Sequence, residues 1–155
     1  MDIVLVGLAF VRLVLAIVFA VVALYTASYV LGKLTKGLDA WAEIGKGNTA
    51  VAVFMTGLFI SVATIIAHGV TGLFVTLDIV GIIVGFIQLI LALALAVVAQ
   101  YIGLSVLGKL TKGIKMWEEL KRGNVTVGLM MVAVVIAIAA VVSQGISSLL
   151  TALLH

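Results

Sequence analysis

Four uninterrupted apolar runs, Ile3 to Leu31, Thr49 to Leu77, Ile79 to Leu107 and Val125 to Leu154, take up most of the 155 residues. None is broken by proline, which the chain lacks, and the only charged side chain inside any of them is Arg12. Stretches this long and this apolar are read as membrane spans. They are read as helices because an open strand edge would leave backbone groups unsatisfied in hydrocarbon, and no period-2 alternation is present. The first three runs are 29 residues long. At 1.5 Å per residue such a helix reaches about 43 Å, against a hydrocarbon thickness of about 30 Å. The spans must therefore tilt, bend or protrude.

The chain also repeats itself. LGKLTKGLDAWAEIGKGNTAVAV, Leu31 to Val53, aligns without a gap to LGKLTKGIKMWEELKRGNVTVGL, Leu107 to Leu129, at an offset of 76 residues and with 12 of 23 positions identical. The expected architecture is all-α and integral to the membrane, with residues 1–77 and 78–155 as tandem repeats. Each holds a span, a charged loop and a second span: about 3–31, 32–46 and 49–77, then about 79–107, 108–122 and 125–154. Because each unit crosses the membrane twice, the second copy enters with the orientation of the first, which makes the repeats parallel. Asp2, Asn48, Asp78 and Asn124 stand immediately before the four runs, as N-caps do.

Sidedness follows from the basic residues. Lys33, Lys36, Lys46, Lys109, Lys112, Lys115, Lys121 and Arg122 all lie in the two loops, so both loops are expected on the cytoplasmic side, with the termini outside. The net charge of +3 is matched to anionic head groups rather than to nucleic acid, since the cations flank apolar spans. Each loop has an amphipathic pattern: Leu31, Leu34, Leu38, Trp41 in one and Leu107, Leu110, Ile114, Trp117 in the other. Interfacial helices are expected there. Trp41 and Trp117, with Lys33, Lys36, Lys109 and Lys112, would meet the lipid interface.

Small residues mark one face of each span: Ala9, Ala16, Ala20, Ala23 and Ala27 in the first, Gly57, Ser61 and Thr64 in the second, Ala92, Ala96, Ala99 and Gly103 in the third, Ala133, Ala137 and Ala140 in the fourth. Helices in a bilayer associate through close backbone approach at such residues. Arg12, His68, Gln88 and Gln144 fall on these faces, related pairwise by the repeat, and are expected to form one polar belt. Either they satisfy one another or Arg12 snorkels outward, or else they line an anion pathway with His68 as its pH-sensitive member.

Chemistry of other kinds finds little support. With no cysteine there is no thiol chemistry, and the two histidines, His68 and His155, have no companions at metal-ligand spacing. Gly32 to Gly37 lacks phosphate-loop spacing. Glu43 and Glu119, the acids equivalent in both copies, are read as partners of nearby lysine and arginine rather than as a catalytic pair. No cofactor, metal or nucleophile–base set is expected.

Trp41, Glu43 and Gly47-Asn48, followed by an apolar run, and their second copy Trp117, Glu119 and Gly123-Asn124, resemble the duplicated membrane family known as domain of unknown function 350. The most specific feature is the E-x-x-x-G-N turn opening an apolar helix, twice. The resemblance implies a prokaryotic inner-membrane protein with four spans, and it carries no catalytic or transport residue with it. The function expected from the residues is that of a non-enzymatic membrane protein that self-associates laterally, a structural or scaffold element in contact with lipid. The alternative is a small oligomeric channel or transporter whose polar belt lines an anion or small-solute pathway.

Overall fold

The computed structural model describes residues 3–34, 38–70 and 79–153. Among them every regular element is helical: α1 Ile3–Leu34, α2 Ala40–Gly45, α3 Thr49–Val70, α4 Ile79–Leu110, α5 Met116–Lys121 and α6 Val125–Leu153. The long–short–long order thus occurs twice. α1, α3, α4 and α6 are each long and apolar enough to cross a membrane, so the chain is an all-helical, multi-pass membrane protein. Helix accounts for the polar residues it carries as well. The hydroxyls of Thr26, Ser28, Thr56, Ser105 and Ser148 each donate to the carbonyl four residues back, which removes an unsatisfied donor from hydrocarbon.

The spans begin where the sequence places them but run further at the loops. α1 and α4 continue to Leu34 and Leu110, and the loop helices are six residues long rather than covering about 32–46 and 108–122. Local chemistry explains the shortening. Asp39 accepts from the Ala42 amide at 3.1 Å and so starts α2 late. Gly113, with φ +94°, turns the chain between α4 and α5 in a conformation that costs other residues energy. Asp2 and Asp78, expected as caps of α1 and α4, and Lys36 lie outside the described residues.

The centre of the molecule is the α3/α6 pair. Ala50 lies against Gly128, Gly57 against Val132 and Ser61 against Val135, so the two helices run side by side in the same direction. A Cβ on Gly128 would stand 2.8 Å from the Ala50 carbonyl oxygen, so this crossing requires a glycine. Phe54, Leu58, Val62, Met131 and Val135 fill the seam. α4 packs on both members of the pair through Leu89, Ala92 and Ala96. α1 touches α3 and α4 through Ala23, Leu24 and Phe19, the last in a tilted ring contact with Phe86 at 5.9 Å. Most of the outer surface of α1 is left to the surroundings, including Phe10, Ile17, Val21 and Tyr25.

Candidate functional site: the paired elbows

The turn that gives the sequence its signature is built alike in both copies. After α2 the chain closes through the Gly47 amide on the Ile44 carbonyl at 2.9 Å and the Asn48 amide on the Glu43 carbonyl at 3.0 Å. After α5 the Gly123 amide meets the Leu120 carbonyl at 3.1 Å and the Asn124 amide the Glu119 carbonyl at 3.0 Å. This is the double bond pattern of a glycine-terminated helix, and Gly47 and Gly123 supply the positive φ it needs, +84° and +83°. The asparagine that follows caps the next span: Asn48 Oδ1 accepts from the Val51 amide at 3.2 Å, and Asn124 Oδ1 from Val127 at 3.4 Å.

The glutamates hold the asparagine amides in that orientation. Glu43 accepts from Lys46 at 2.8 Å and from Asn48 Nδ2 at 3.3 Å; Glu119 accepts from Arg122 at 2.8 Å and from Asn124 Nδ2 at 3.1 Å. The Lys46 hydrogen bond, and then that of Asn48, hold the Glu43 carboxyl below its ordinary value, while the same carboxylate raises Lys46. For Glu119 the hydrogen bond from Asn124 is the main cause of a similar lowering, with Arg122 adding to it. Both acids are therefore ionised and held by hydrogen bonds.

The two elbows differ in one respect. Asn48 Nδ2 also donates to the carbonyl oxygens of Leu120 at 3.1 Å and Lys121 at 3.0 Å at the end of α5, where Leu120 already accepts from the Gly123 amide. One side chain thus caps the start of α3, braces its own elbow and ties it to the other. Among the described residues Asn124 has no counterpart of that crossing. Leu120 and Met116 are buried where α5 docks, whereas α2 buries none of its residues. The tryptophans differ accordingly: Trp117 meets Phe54 edge-on at 5.7 Å, while Trp41, 63% exposed, lies against Phe59 at 6.2 Å.

A second polar node lies inside the bundle. Gln100 on α4 is fully buried and donates through Nε2 to the Ser61 hydroxyl and, at 3.1 Å, to the Val135 carbonyl; Ser61 donates to that carbonyl at 3.0 Å. Three helices meet at this point. Gln100 escapes the sequence reading because its repeat equivalent is Leu24, so no pairwise pattern marks it. Its spacing after Ala92 and Ala96, four residues each, is the signal that places it on the buried line of α4.

The remaining sequence-selected residues are placed as follows. Gln88 is buried, and among the described residues its Oε1, like that of Gln100, has no hydrogen-bond partner, while Gln144 is exposed on α6. Gln88 and Gln144 thus stand in different surroundings. The side chains of Arg12, His68 and Lys33 lie outside the described residues, and Lys109 and Lys112 are exposed. Of the small-residue faces, those of α1, α3 and α4 turn inward at Ala23, Gly57, Ser61, Ala92 and Ala96. That of α6 does not: Ala133, Ala137 and Ala140 are exposed, and α6 packs through Val127, Met131, Val135 and Ala139 instead.

The model of one family, Domain of Unknown Function (DUF350), matches residues 4–95 and again residues 81–155. The chain belongs to the DUF350 family. The two matched segments overlap and between them cover the whole length, as a duplicated domain would. A search of the curated proteins and one of the solved structures each found no match. In this DUF350 chain the paired elbows are where the residues of the repeated turn gather into one hydrogen-bonded cluster.

Proposed function

We propose that the protein is a non-enzymatic structural element of the membrane that assembles laterally with further copies of itself. The observation that carries this reading is the outward-facing small-residue face of α6. Its repeat equivalent on α3 is covered, Gly57 by Val132 and Ser61 by Gln100, whereas Ala133, Ala137 and Ala140 are exposed and lead to an exposed Gln144. A polar amide facing lipid beside a smooth alanine face is stabilised by a helix that packs there and accepts its hydrogen bonds. In this reading the two units are parallel tandem repeats, their charged elbows lie together at the cytoplasmic face of an inner membrane, and Trp41, Trp117 and the loop lysines contact head groups.

The test is proximity cross-linking in native membranes together with the mass of the protein in mild detergent. Ala137→Phe adds bulk to an exposed position and should leave the monomer folded while abolishing cross-linked dimers; Ile102→Phe, on the exposed side of α4, should not. A wild-type chain that remains single in both measurements overturns the proposal. The channel reading draws on a different observation, the Oε1 of buried Gln88, which has no hydrogen-bond partner among the described residues. It requires a liposome flux that Arg12→Leu abolishes and Lys46→Ala retains.

A further inference from the structure

Beside the first elbow, α1, α2 and α3 border an open cleft of about 650 Å³ lined by Leu24, Tyr25, Ser28, Tyr29, Trp41 and Phe59. Its walls are almost wholly carbon. Ser28 does not make it polar, because its hydroxyl is committed to the Leu24 carbonyl at 2.6 Å. A water molecule needs two to four polar partners to stay in such a space, so hydrocarbon fills it better. In a membrane-spanning bundle the hydrocarbon at hand is the acyl chain of a neighbouring lipid.

The rim fits the other end of such a molecule. Tyr25 and Trp41 are both more than half exposed, at the elbow end of the bundle, and carry a phenol and an indole N–H. Aromatic side chains of this type keep one end in hydrocarbon and offer the polar end to ester and phosphate oxygens. We infer that the cleft is a binding site for one glycerophospholipid of the elbow-side leaflet, its acyl chain between α1 and α3 and its ester region at Tyr25 and Trp41.

Comparison of the two units gives the site its stoichiometry. At the offset of 76 residues the lining becomes Gln100, Tyr101, Leu104, Ser105, Trp117 and Val135. There Gln100 and Val135 are fully buried, and Leu104 and Trp117 pack against the core. Leu104 replaces Ser28, and the cleft that Leu104 and Trp117 line in this unit is smaller, about 380 Å³, shifted toward α5 and edged by Lys115 and Glu118, so it lacks the apolar walls of the first. One lipid per chain, held by the first unit, is the consequence. The site does not depend on self-association.

The experiment counts retained lipid. Delipidated protein in mild detergent, given dioleoyl phosphatidylglycerol and examined by native mass spectrometry, should show a single adduct that survives collisional activation. Ser28→Leu, which installs the residue of the second unit, should reduce that adduct at least ten-fold. Ser105→Leu makes the same exchange on the exposed side of α4, with the same loss of a bond to the carbonyl four residues back, and should leave it unchanged. Equal retention in the wild type and Ser28→Leu overturns the assignment. An independent arm uses Trp117→Phe, in which Trp41 is the one remaining tryptophan. Added phosphatidylglycerol with brominated acyl chains should quench its emission saturably at one lipid per chain, and quenching that rises without saturation overturns the site.

Discussion

Asn48 serves three structural purposes with one amide, and its equivalent Asn124 serves two. Substitution should separate them. Losing an N-cap costs about 1 kcal/mol, and removing the donors to the α5 carbonyls adds a further cost of about the same size. Asn48→Ala is therefore expected to destabilise the protein by about 2 kcal/mol and Asn124→Ala by about 1 kcal/mol, read from reversible unfolding in mixed micelles. Equal losses would mean that the crossing between elbows contributes nothing. The glutamates add a pH dependence. Glu43 and Glu119 titrate lower in the folded protein than as free side chains, so their contribution is present above the free carboxyl value near 4.3 and is lost as pH falls through the folded value. Lys46 shifts the other way, and its share is lost only as pH rises through a value above that of a free lysine. Amide exchange at residues 43–48 and 119–124 should be flat from pH 6 to 8, after correction for intrinsic rates, and accelerate on acidification below about 4. Glu43→Gln should remove that acceleration from the first elbow only.

Among the elements, the spans are legible in the sequence because the requirement behind them is severe. A run of apolar residues in hydrocarbon satisfies its backbone only as a helix, so Thr49, Ile79 and Val125 open helices where the runs open. The loop helices are less legible. The leucine spacing that joins Leu31 and Leu34 to Leu38 and Trp41 continues across a break, since the first two belong to the end of α1 and Asp39 starts a new helix. Periodicity alone does not reveal a cap in its middle. Helix contacts lend themselves to a direct check. Gly128→Val would force α6 away from Ala50 at the central crossing and should cost about 3 kcal/mol, as an overpacked core does. Gly145→Ala, with nothing within 4 Å of the added carbon, should be neutral or stabilising by up to about 1 kcal/mol. The same unfolding assay distinguishes them.

For the molecule as a whole, a duplicated sequence invites the expectation of two equivalent halves, and the packing is not equivalent. α3 is enclosed by α1, α4 and α6, so it buries residues around most of its circumference, from Ala50 and Val51 to Ile65 and Ile66. α6 occupies the corresponding place in its own unit and keeps its alanine face outside. The cause visible at residue level is the exchange of Leu24 for Gln100 and of Ala137 for Ser61: one pair bonds across the helices, and the other has no polar group to do so. Gln100→Leu should accordingly loosen α4 from α3 and α6, with a loss of about 1–2 kcal/mol for the intramembrane hydrogen bonds. A thermal midpoint unchanged by Gln100→Leu would show that apolar packing alone sets this arrangement. Such differences between copies are written in the sequence, but they become readable only when the positions they join are known to touch.

The amide of Asn48 has a consequence for biogenesis. Its two carbonyl acceptors are made more than seventy residues later in the chain, so a ribosome that has released only the first hairpin into the bilayer leaves those two bonds unmade and the amide held by Glu43 alone. The first turn reaches its final state when the second arrives. Insertion of the two hairpins is thereby chronologically linked, and a cell making the N-terminal half by itself would hold a precursor whose latch has no catch.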